Sequence, residues 1–358
     1  MLKRIRLDPV LLTLILALMV IGLLVSFSAS GGSTAVVKSQ LLRMLVGLTV
    51  MVVAAQLPSL FFYRMAPLLF MFGMLLLLGV EFTGEIGGGA RRWLDLGVVR
   101  FQPSELSKLV VPLMIAYYLA ERPFPLPWSN LGVALGLILL PVALILRQPD
   151  LGTALLVMVS GLAVIFLAGI SWRLVLGGLM LAVAMVPLAW HFMHDYQRGR
   201  VLTLLDPSRD PLGSGYHIIQ STIAIGSGGL FGKGWQNSSQ SHLEFLPESS
   251  TDFIFAVFAE EFGLLGCGFL LLLYLAVMFR GLQISVTASD GFGRLMAGAI
   301  VAIFFSYVVV NIGMVSGVLP VVGVPLPLIS YGGSSLVTLL LGFGILMGIR
   351  NDRKMWNK

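Results

Sequence analysis

The chain has 358 residues, of which 57% are hydrophobic and only 11% are charged, with a net charge of +6. Soluble domains carry about a quarter charged residues, so this composition excludes an ordinary soluble protein. Several apolar runs approach the roughly 20 residues that a membrane-spanning helix needs, whereas a β-barrel would show short alternating strands. We therefore expect an all-α integral membrane protein. Its single cysteine, Cys267, excludes an intramolecular disulfide.

The first apolar run, residues 10–28, follows the basic residues Lys3, Arg4 and Arg6. A signal peptide begins in this way, but its apolar core is usually about 7 to 15 residues long. The longer run here predicts a first helix that is retained.

The remaining apolar runs complete a pattern of about ten spans. The predicted spans are residues 10–28, 41–57, 66–81, 104–120, 131–147, 153–170, 174–194, 252–279, 295–318 and 334–350. No repeat or linker divides the chain, so we interpret residues 1–358 as a single membrane domain. The polar segment from about 195 to 251 is its large extracytoplasmic loop.

An even number of spans places both termini on the same side of the membrane. Lys and Arg residues divide almost evenly between the two sides, so the positive-inside rule hardly discriminates. Most Asp and Glu residues fall on one side, together with two basic loops. We take that acidic side as the outer one, which puts both termini in the cytoplasm. The basic residues beside the acids are then interpreted as ligand-binding groups.

The first basic loop, residues 82–103, leads into the fourth span. Pro103 suits the first turn of a helix, and Glu105 and Lys108 then lie one turn apart on the same face. The charged side chains of this candidate site are Arg91, Arg92, Arg100, Glu105 and Lys108. A basic site beside a helix N-terminus suits phosphate or diphosphate oxygens. The alternative is that Glu105 and Lys108 only neutralise each other inside the bundle.

The segment Arg147-Gln-Pro-Asp-Leu-Gly-Thr153 is a tight turn between two spans. Arg147 and Asp150 are candidates to pair with each other or to reach a ligand. Turn chemistry alone accounts for Pro149, Asp150 and Gly152, and we favour that interpretation.

A glycine-rich run, Gly226–Gly234, lies in the large outer loop. Its spacing is wrong for a phosphate-binding P-loop. We expect these glycines to let the backbone turn closely around another group, with Lys233 as an additional cation for a substrate.

Three possible metal ligands, His191, His194 and Asp195, share a helix face at the end of the seventh span. An interfacial aromatic belt that includes Trp190 and Tyr196 is the simpler interpretation. We predict no metal-binding residues, and no cofactor beyond an optional divalent cation.

The stretch Glu244–Gly263 enters a long apolar run with carboxylates at its start. Glu248, Asp252 and Glu260 would line one face of a continuous helix. Carboxylates at the mouth of a membrane helix are costly and usually functional. The alternative is that Asp252 only caps the helix.

Residues 319–334 are apolar but rich in proline and glycine, so they cannot form a regular helix. At membrane depth, such backbone is tolerated only where it is buried or lines a cavity. We expect this segment to be a shaped wall for a lipid chain, without a catalytic side chain.

Several of these segments resemble motifs of a single family. They are Trp93-Leu-Asp-Leu-Gly, Phe101-Gln-Pro-Ser-Glu105, Gln148-Pro-Asp-Leu-Gly-Thr153, Leu246-Pro-Glu-Ser-Ser-Thr-Asp-Phe-Ile-Phe255 and residues 323–334. Over essentially its whole length the chain resembles the SEDS family (shape, elongation, division and sporulation). Its segments His194–Arg198, Leu204–Pro207 and Asp210–Gln220 resemble the elongation branch more than the division branch. One departure is Ser250, where relatives often carry His, which argues against a histidine base there.

The resemblance implies a peptidoglycan glycosyltransferase of the inner membrane. The family polymerises lipid II at the outer face of that membrane by an inverting displacement, together with a class B penicillin-binding protein and other proteins of the elongation complex. Asp252 matches the family's essential aspartate, which makes it the expected general base. The expected substrate-binding residues are Arg91, Arg92, Arg100, Glu105, Lys108, Lys233 and Glu248.

Three alternatives remain open at this point. A polar cavity inside a helical bundle also suits a lipid II flippase. A non-catalytic scaffold of the wall-synthesis complex is the second alternative, and a division-type polymerase is the third.

Overall fold

The computed structural model describes residues 6–87, 90–95, 100–122, 126–193, 195–210, 213–242, 246 and 248–356, and a helix overlaps each predicted span. The helices before the outer loop are α1 (Pro9–Ala29), α2 (Thr34–Gln56), α3 (Ser59–Thr83), α4 (Pro103–Leu119), α5 (Trp128–Arg147), α6 (Leu151–Leu167) and α7 (Trp172–Phe192). The others are α8 (Asp195–Leu205), α9 (Ser214–Ser227), α10 (Ser239–His242), α11 (Ile254–Val286), α12 (Gly291–Val315) and α13 (Ser334–Trp356).

Seven helices in the described part of the chain are long and apolar enough to cross a membrane. They are α1, α2, α3, α5, α11, α12 and α13. The apolar helix α6 is shorter, as is the apolar part of α7, and α4 carries two charged residues near its start. The predicted class, an all-α integral membrane protein, is confirmed. The large outer loop is itself partly helical, since α8, α9 and α10 lie within it.

Two helices begin earlier than their apolar runs. α2 starts at Thr34 and α3 at Ser59, each seven residues before the predicted span. A hydropathy pattern marks only the stretch that lipid surrounds, whereas the helical hydrogen bonds continue through Lys38 and Arg64 at the membrane surface.

The loop that precedes α4 contains a small antiparallel sheet that the sequence did not predict. Its strands are β1 (Glu85–Gly87), β2 (Ala90–Asp95) and β3 (Arg100–Phe101), in the order β1-β2-β3. Leu94 pairs with Phe101, which brings the chain to Pro103, the first residue of α4. The sheet therefore fixes how the chain enters the fourth membrane helix.

α12 lies at the centre of the bundle, buried along most of its length and packed by α4, α6, α11 and α13. α2 and α13 pack closely, because glycines allow their backbones to approach. A Cβ atom on Gly344 would lie 2.5 Å from the carbonyl oxygen of Met51. Any larger residue at this position would push the two helices apart.

The end of the bundle at which α1 begins is closed by ion pairs between distant parts of the chain. The fully buried carboxylate of Asp8 caps α1 through Leu11 N at 3.1 Å. The same carboxylate accepts from Arg280 Nη2 at 3.0 Å and pairs with Arg350. Since a buried carboxylate needs cationic partners, these contacts hold the start of α1 against α11 and α13.

α11 is not one continuous helix. Gly263 breaks it with φ 65° and ψ −164°, a backbone conformation that is essentially restricted to glycine. Residues 254–262 form a short segment whose side chains are almost all buried, and residues 264–286 form a longer segment with an exposed apolar face. The predicted span 252–279 is therefore two helical segments.

The break is filled by the glycine-rich run of the outer loop. The carbonyls of Gly229 and Leu230 accept from Leu264 N at 2.9 Å and Leu265 N at 3.2 Å, the first amides of the longer segment. In the other direction, the amides of Lys233 and Gly234 donate 3.0 Å bonds to the carbonyls of Glu260 and Glu261, the last of the short segment. The loop thus replaces the hydrogen bonds that the break removes.

Candidate active site

Asp252 lies in a turn that immediately precedes α11. The N-cap residue of that helix is Phe253, and no side chain caps it, so the alternative that Asp252 only caps the helix is wrong. Glu248 has a left-handed backbone with φ 56°. The predicted alignment of Glu248, Asp252 and Glu260 along one helix face is therefore also wrong, because only Glu260 is in the helix.

Three successive carbonyls of this turn are held by groups from a later part of the chain. The donors are Tyr331 N to Ser250 O at 2.9 Å, Ser330 Oγ to Thr251 O at 2.6 Å, and Asn311 Nδ2 to Asp252 O at 2.8 Å. Asn311 is fully buried and also donates to Val324 O at 2.7 Å. The turn is thereby fixed to α12 and to the irregular segment that follows α12.

The irregular segment before α13 was expected to be only a wall for a lipid chain. It lacks helix or strand, as predicted, but its hydroxyl and amide groups position the aspartate turn. Sequence reasoning missed Asn311, Ser330 and Tyr331. No local pattern reveals them, since their partners lie 59 to 81 residues earlier in the chain.

The Asp252 carboxylate is open on the side away from these anchors. Gly323, with φ 71°, lies beside it, and a Cβ atom there would be 3.3 Å from Asp252 Oδ2. Within the described residues, no group donates a hydrogen bond to the carboxylate. Burial, and secondly the negative charge of Glu248, raise the pKa of Asp252 from 3.8 to about 6. The group is therefore ionised at neutral pH and yet basic enough to accept a proton.

Glu248 and His217 also lie at the turn that contains Asp252. Thr251 Oγ1 donates to Glu248 Oε2 at 2.6 Å, and the Glu248 side chain is exposed. The His217 ring stacks on Phe253 with centroids 5.4 Å apart. Burial lowers the pKa of His217, so this imidazole is neutral at pH 7. His217 was not among the site residues predicted from the sequence.

Glu105 and Lys108 form a buried ion pair inside the bundle. Lys108 Nζ donates to Glu105 Oε1 at 2.6 Å and to the Tyr307 hydroxyl at 2.5 Å. Tyr307 donates to Glu105 Oε2 at 3.0 Å. Because Lys108 is 2% exposed and Glu105 5%, the geometry favours the alternative that the two charges neutralise each other.

We expect Lys108→Met to destabilise the protein by about 3 to 5 kcal/mol, because it leaves the Glu105 carboxylate buried without a cation. The double variant Glu105→Gln, Lys108→Met removes both charges and should regain most of that loss. The measurement is thermal unfolding of the purified proteins in detergent. If the double variant is as unstable as the single one, charge neutralisation is not what Lys108 contributes.

Arg92 holds the turn between α5 and α6. Its Nε and Nη2 donate to the carbonyls of Gln148 at 3.1 Å and Pro149 at 2.5 Å. This contact satisfies carbonyls at the end of α5. The expectation that Arg92 binds substrate is therefore revised, because its guanidinium is engaged with the backbone.

Asp150 caps α6, since its carboxylate accepts from Thr153 N at 3.1 Å and from Gln102 Nε2 at 2.8 Å. These two hydrogen bonds support the prediction that Asp150 has a structural role in the turn. Arg147 approaches Glu81 at 3.9 Å, where both side chains are exposed.

Arg91 lies in β2 and Arg100 in β3. Their side chains are outside the described part of the structure, so their expected contact with substrate stays a prediction.

Lys233 is bound by the chain's own carboxylate. Its Nζ donates to Glu260 Oε1 at 2.6 Å, and the fully buried Glu260 also accepts from Ser238 Oγ at 2.6 Å and Ser239 Oγ at 2.7 Å. Glu261 accepts from Ser28 Oγ and from Gln236 N. Lys233 thus fixes the glycine-rich run in the break of α11, which revises its expected role as a cation for substrate.

The possible metal ligands are only partly described. His194 lies outside the described residues, and Arg198 Nη2 donates to the carbonyl of His191 at 2.6 Å. Among the residues that the structure covers, no group of three or more His, Cys, Asp or Glu side chains could hold a metal ion.

The whole bundle matches known proteins. A family model described as cell cycle protein, for FtsW, RodA and SpoVE, matches residues 9–355. The chain is 54% identical to the peptidoglycan glycosyltransferase MrdB of Escherichia coli K12 over 356 residues, 99% of this chain and 96% of that protein. A probable peptidoglycan glycosyltransferase FtsW of Geobacter metallireducens is 36% identical, with 98% and 96% covered.

Two solved structures resemble the chain in fold. One belongs to a study of how a peptidoglycan synthase complex coordinates polymerization and crosslinking, with a TM-score of 0.84, 36% identity, and 97% of this chain and 98% of that chain covered. The other is the rod shape determining protein RodA of Thermus thermophilus, with a TM-score of 0.74, 32% identity, and 97% of each chain covered.

Proposed function

We propose, since this chain belongs to the family of cell cycle proteins that includes FtsW, RodA and SpoVE, that it is a peptidoglycan glycosyltransferase. The resemblance to the SEDS family is confirmed. The proposed reaction is polymerisation of lipid II into glycan strands at the outer face of the inner membrane during cell elongation. The elongation role is supported by 54% identity to MrdB against 36% to a probable FtsW.

The proposed mechanism rests on the geometry of Asp252. Its backbone carbonyl is held by a hydrogen bond, whereas no described residue donates a hydrogen bond to its carboxylate. In the proposed step the 4-hydroxyl of one sugar attacks the anomeric carbon of another, whose bond to the lipid diphosphate breaks. Asp252 takes the hydroxyl proton, and the configuration inverts, as in inverting glycosidases with a sugar in place of water. A base with a pKa of about 6 suits this task near neutral pH.

The departing diphosphate needs cations as its negative charge develops. Arg92, Lys108 and Lys233 are already bound to protein groups. Of the cations expected from the sequence, Arg91 and Arg100 therefore remain our candidates. Both belong to the short sheet beside the start of α4.

The names of the curated relatives state a peptidoglycan glycosyltransferase activity, which favours a glycosyltransferase over a flippase or a scaffold. The direct test uses purified protein in detergent or vesicles with labelled lipid II. We expect glycan polymer. Translocation without polymer would support a flippase, and neither product would support a scaffold.

A class B penicillin-binding protein is the proposed partner, together with other proteins of the elongation complex. Support comes from the related chain that was solved in a study of a peptidoglycan synthase complex. We expect the cognate transpeptidase to increase the polymerisation rate of the purified chain. If the rate is unchanged over a wide range of partner concentrations, the partner does not activate the chain, and at most the two proteins co-localise.

The proposed orientation has both termini in the cytoplasm, and single cysteines test it. Ser208, in the exposed short 3₁₀ turn of the outer loop, and Ser171, in the loop before α7, lie on opposite sides in this topology. In a variant with Cys267 replaced, a cysteine at Ser208 should react with an impermeant maleimide in intact spheroplasts. A cysteine at Ser171 should not, and the reverse pattern contradicts the orientation.

A further inference from the structure

Arg43 is a charged residue within the apolar run of α2, one turn after the polar residues Ser39 and Gln40. It lies nine residues after Thr34, the start of the helix, which places it about 13 Å along the helix axis. In the proposed topology α2 enters from the outer side, so Arg43, two residues inside the predicted span 41–57, lies near the outer boundary of the hydrocarbon. An ionisable residue at such a depth is costly and is retained for a reason.

Among the residues that the structure describes, the guanidinium of Arg43 has no carboxylate partner. Its Cζ atom lies 4.1 Å from the ring centroid of Tyr331, and no ion pair or hydrogen bond of its side chain occurs among the described residues. Neither α2 nor residues 316–349 contain an acidic residue. Arg43 is only half-buried, so its N–H donors are available to an anion, and their planar arrangement suits phosphate oxygens.

Tyr331 links Arg43 to the aspartate turn. The Tyr331 hydroxyl lies 3.1 Å from Ser39 Oγ, and its backbone N–H donates to Ser250 O at 2.9 Å. The cation is thus fixed by the same irregular segment that holds the Asp252 backbone. A group bound at Arg43 therefore lies at a defined position relative to the proposed base.

We infer that Arg43 binds the diphosphate of a lipid-linked substrate or product, at a subsite beside the Asp252 turn. This rests on the proposed function, in which both the donor and the acceptor sugar are linked to a polyprenyl diphosphate. Such a reaction brings two diphosphates near one base, and the sheet before α4 supplies candidate cations for one of them. Arg43 supplies positive charge for the second.

The same phosphate chemistry could come from an anionic phospholipid headgroup, so the experiment has two arms. Wild type, Arg43→Gln and Arg43→Lys are compared in nanodiscs of phosphatidylcholine alone and in nanodiscs that also contain phosphatidylglycerol. Arg64→Gln, at the exposed inner end of α3, is the matched control. Binding of fluorescent undecaprenyl diphosphate, with undecaprenol as competitor control, is measured beside lipid II polymerisation.

We expect Arg43→Gln to weaken undecaprenyl diphosphate binding and to raise the KM for lipid II by about 10- to 100-fold in both membranes, the loss typical of a charge-assisted hydrogen bond. Arg43→Lys should retain part of the affinity because it keeps the charge. Unchanged binding in a folded Arg43→Gln protein overturns the inference. So does a defect confined to phosphatidylglycerol membranes, which would assign Arg43 to a phospholipid headgroup. If wild type binds the diphosphate but makes no glycan, the proposed function fails while the anion site stands.

Discussion

Asp252→Asn is expected to leave a folded, membrane-inserted protein whose polymerisation rate is lower by about 10²- to 10⁴-fold, the usual cost of losing a general base. The amide keeps the shape of the side chain, and the turn is held through its backbone carbonyls rather than through the carboxylate. The loss should therefore appear in catalysis and not in folding. Asn311→Ala is the useful contrast, because it should affect stability and rate together.

The pH profile provides a second measurement on the same residue. With a raised pKa of about 6 for Asp252, kcat/KM of the wild type should fall as the pH drops through 6. The effect on stability has the opposite sign. Burial disfavours the ionised form, so the wild type loses stability as the pH rises from about 4 to 6, and Asp252→Asn does not. The unfolding temperature of the variant should therefore exceed that of wild type at pH 7 and match it at pH 4.

Glycan synthesis by Asp252→Asn within a few-fold of wild type would end the assignment of Asp252 as the base. A variant that unfolds at neutral pH would instead indicate a structural role for the carboxylate. Co-expression gives a further check, since an inactive but folded variant should still occupy the complex and inhibit growth beside the wild type.

Gly263→Ala should produce a large loss of stability. The φ of 65° with ψ of −164° strains any other residue, and a Cβ atom would lie 2.3 Å from Gly232 N and 2.8 Å from Leu230 O. Strain and overpacking each cost about 1 to 3 kcal/mol. Since the glycine-rich run cannot then fill the break in α11, the short segment that follows Asp252 should lose its position, and activity should fall with stability.

Gly268→Ala is the matched control for this substitution, because it lies five residues later in the same helix and a Cβ atom there meets nothing within 4 Å. It should be neutral or slightly stabilising, since alanine favours helix by about 1 kcal/mol over glycine. Unfolding temperature and polymerisation rate are measured for both variants in detergent. Equal stability of the two variants would show that the break at Gly263 tolerates a side chain.

The membrane helices could be predicted from the sequence because hydropathy is a local property that survives in any tertiary context. The turn at Asp150 followed from its own residues for the same reason. Asp252 was identified from its place at a helix mouth and from the family motif. The local geometry of Asp252 was not predicted, because α11 begins at Ile254 and the residues before it form a turn.

The features missed all depend on contacts between distant residues. An isolated glycine within an apolar run, such as Gly263, is compatible with a continuous helix, and only the glycine-rich run some thirty residues earlier makes it a break. Lys233 was interpreted as a free cation because its partner Glu260 lies 27 residues away. The role of Asn311 was hidden in the same way.

The buried carboxylate of Asp8 has a consequence for biogenesis. Asp8 belongs to the first helix that leaves the ribosome, whereas Arg280 and Arg350 belong to α11 and α13, which are synthesised much later. Until those helices are inserted, the inner end of α1 keeps a negative charge without the cations that make its burial tolerable. Pairing at this end of the bundle is therefore complete only after α13 is in the membrane, and a nascent chain that stops before α11 presents an unpaired carboxylate to the membrane quality-control machinery.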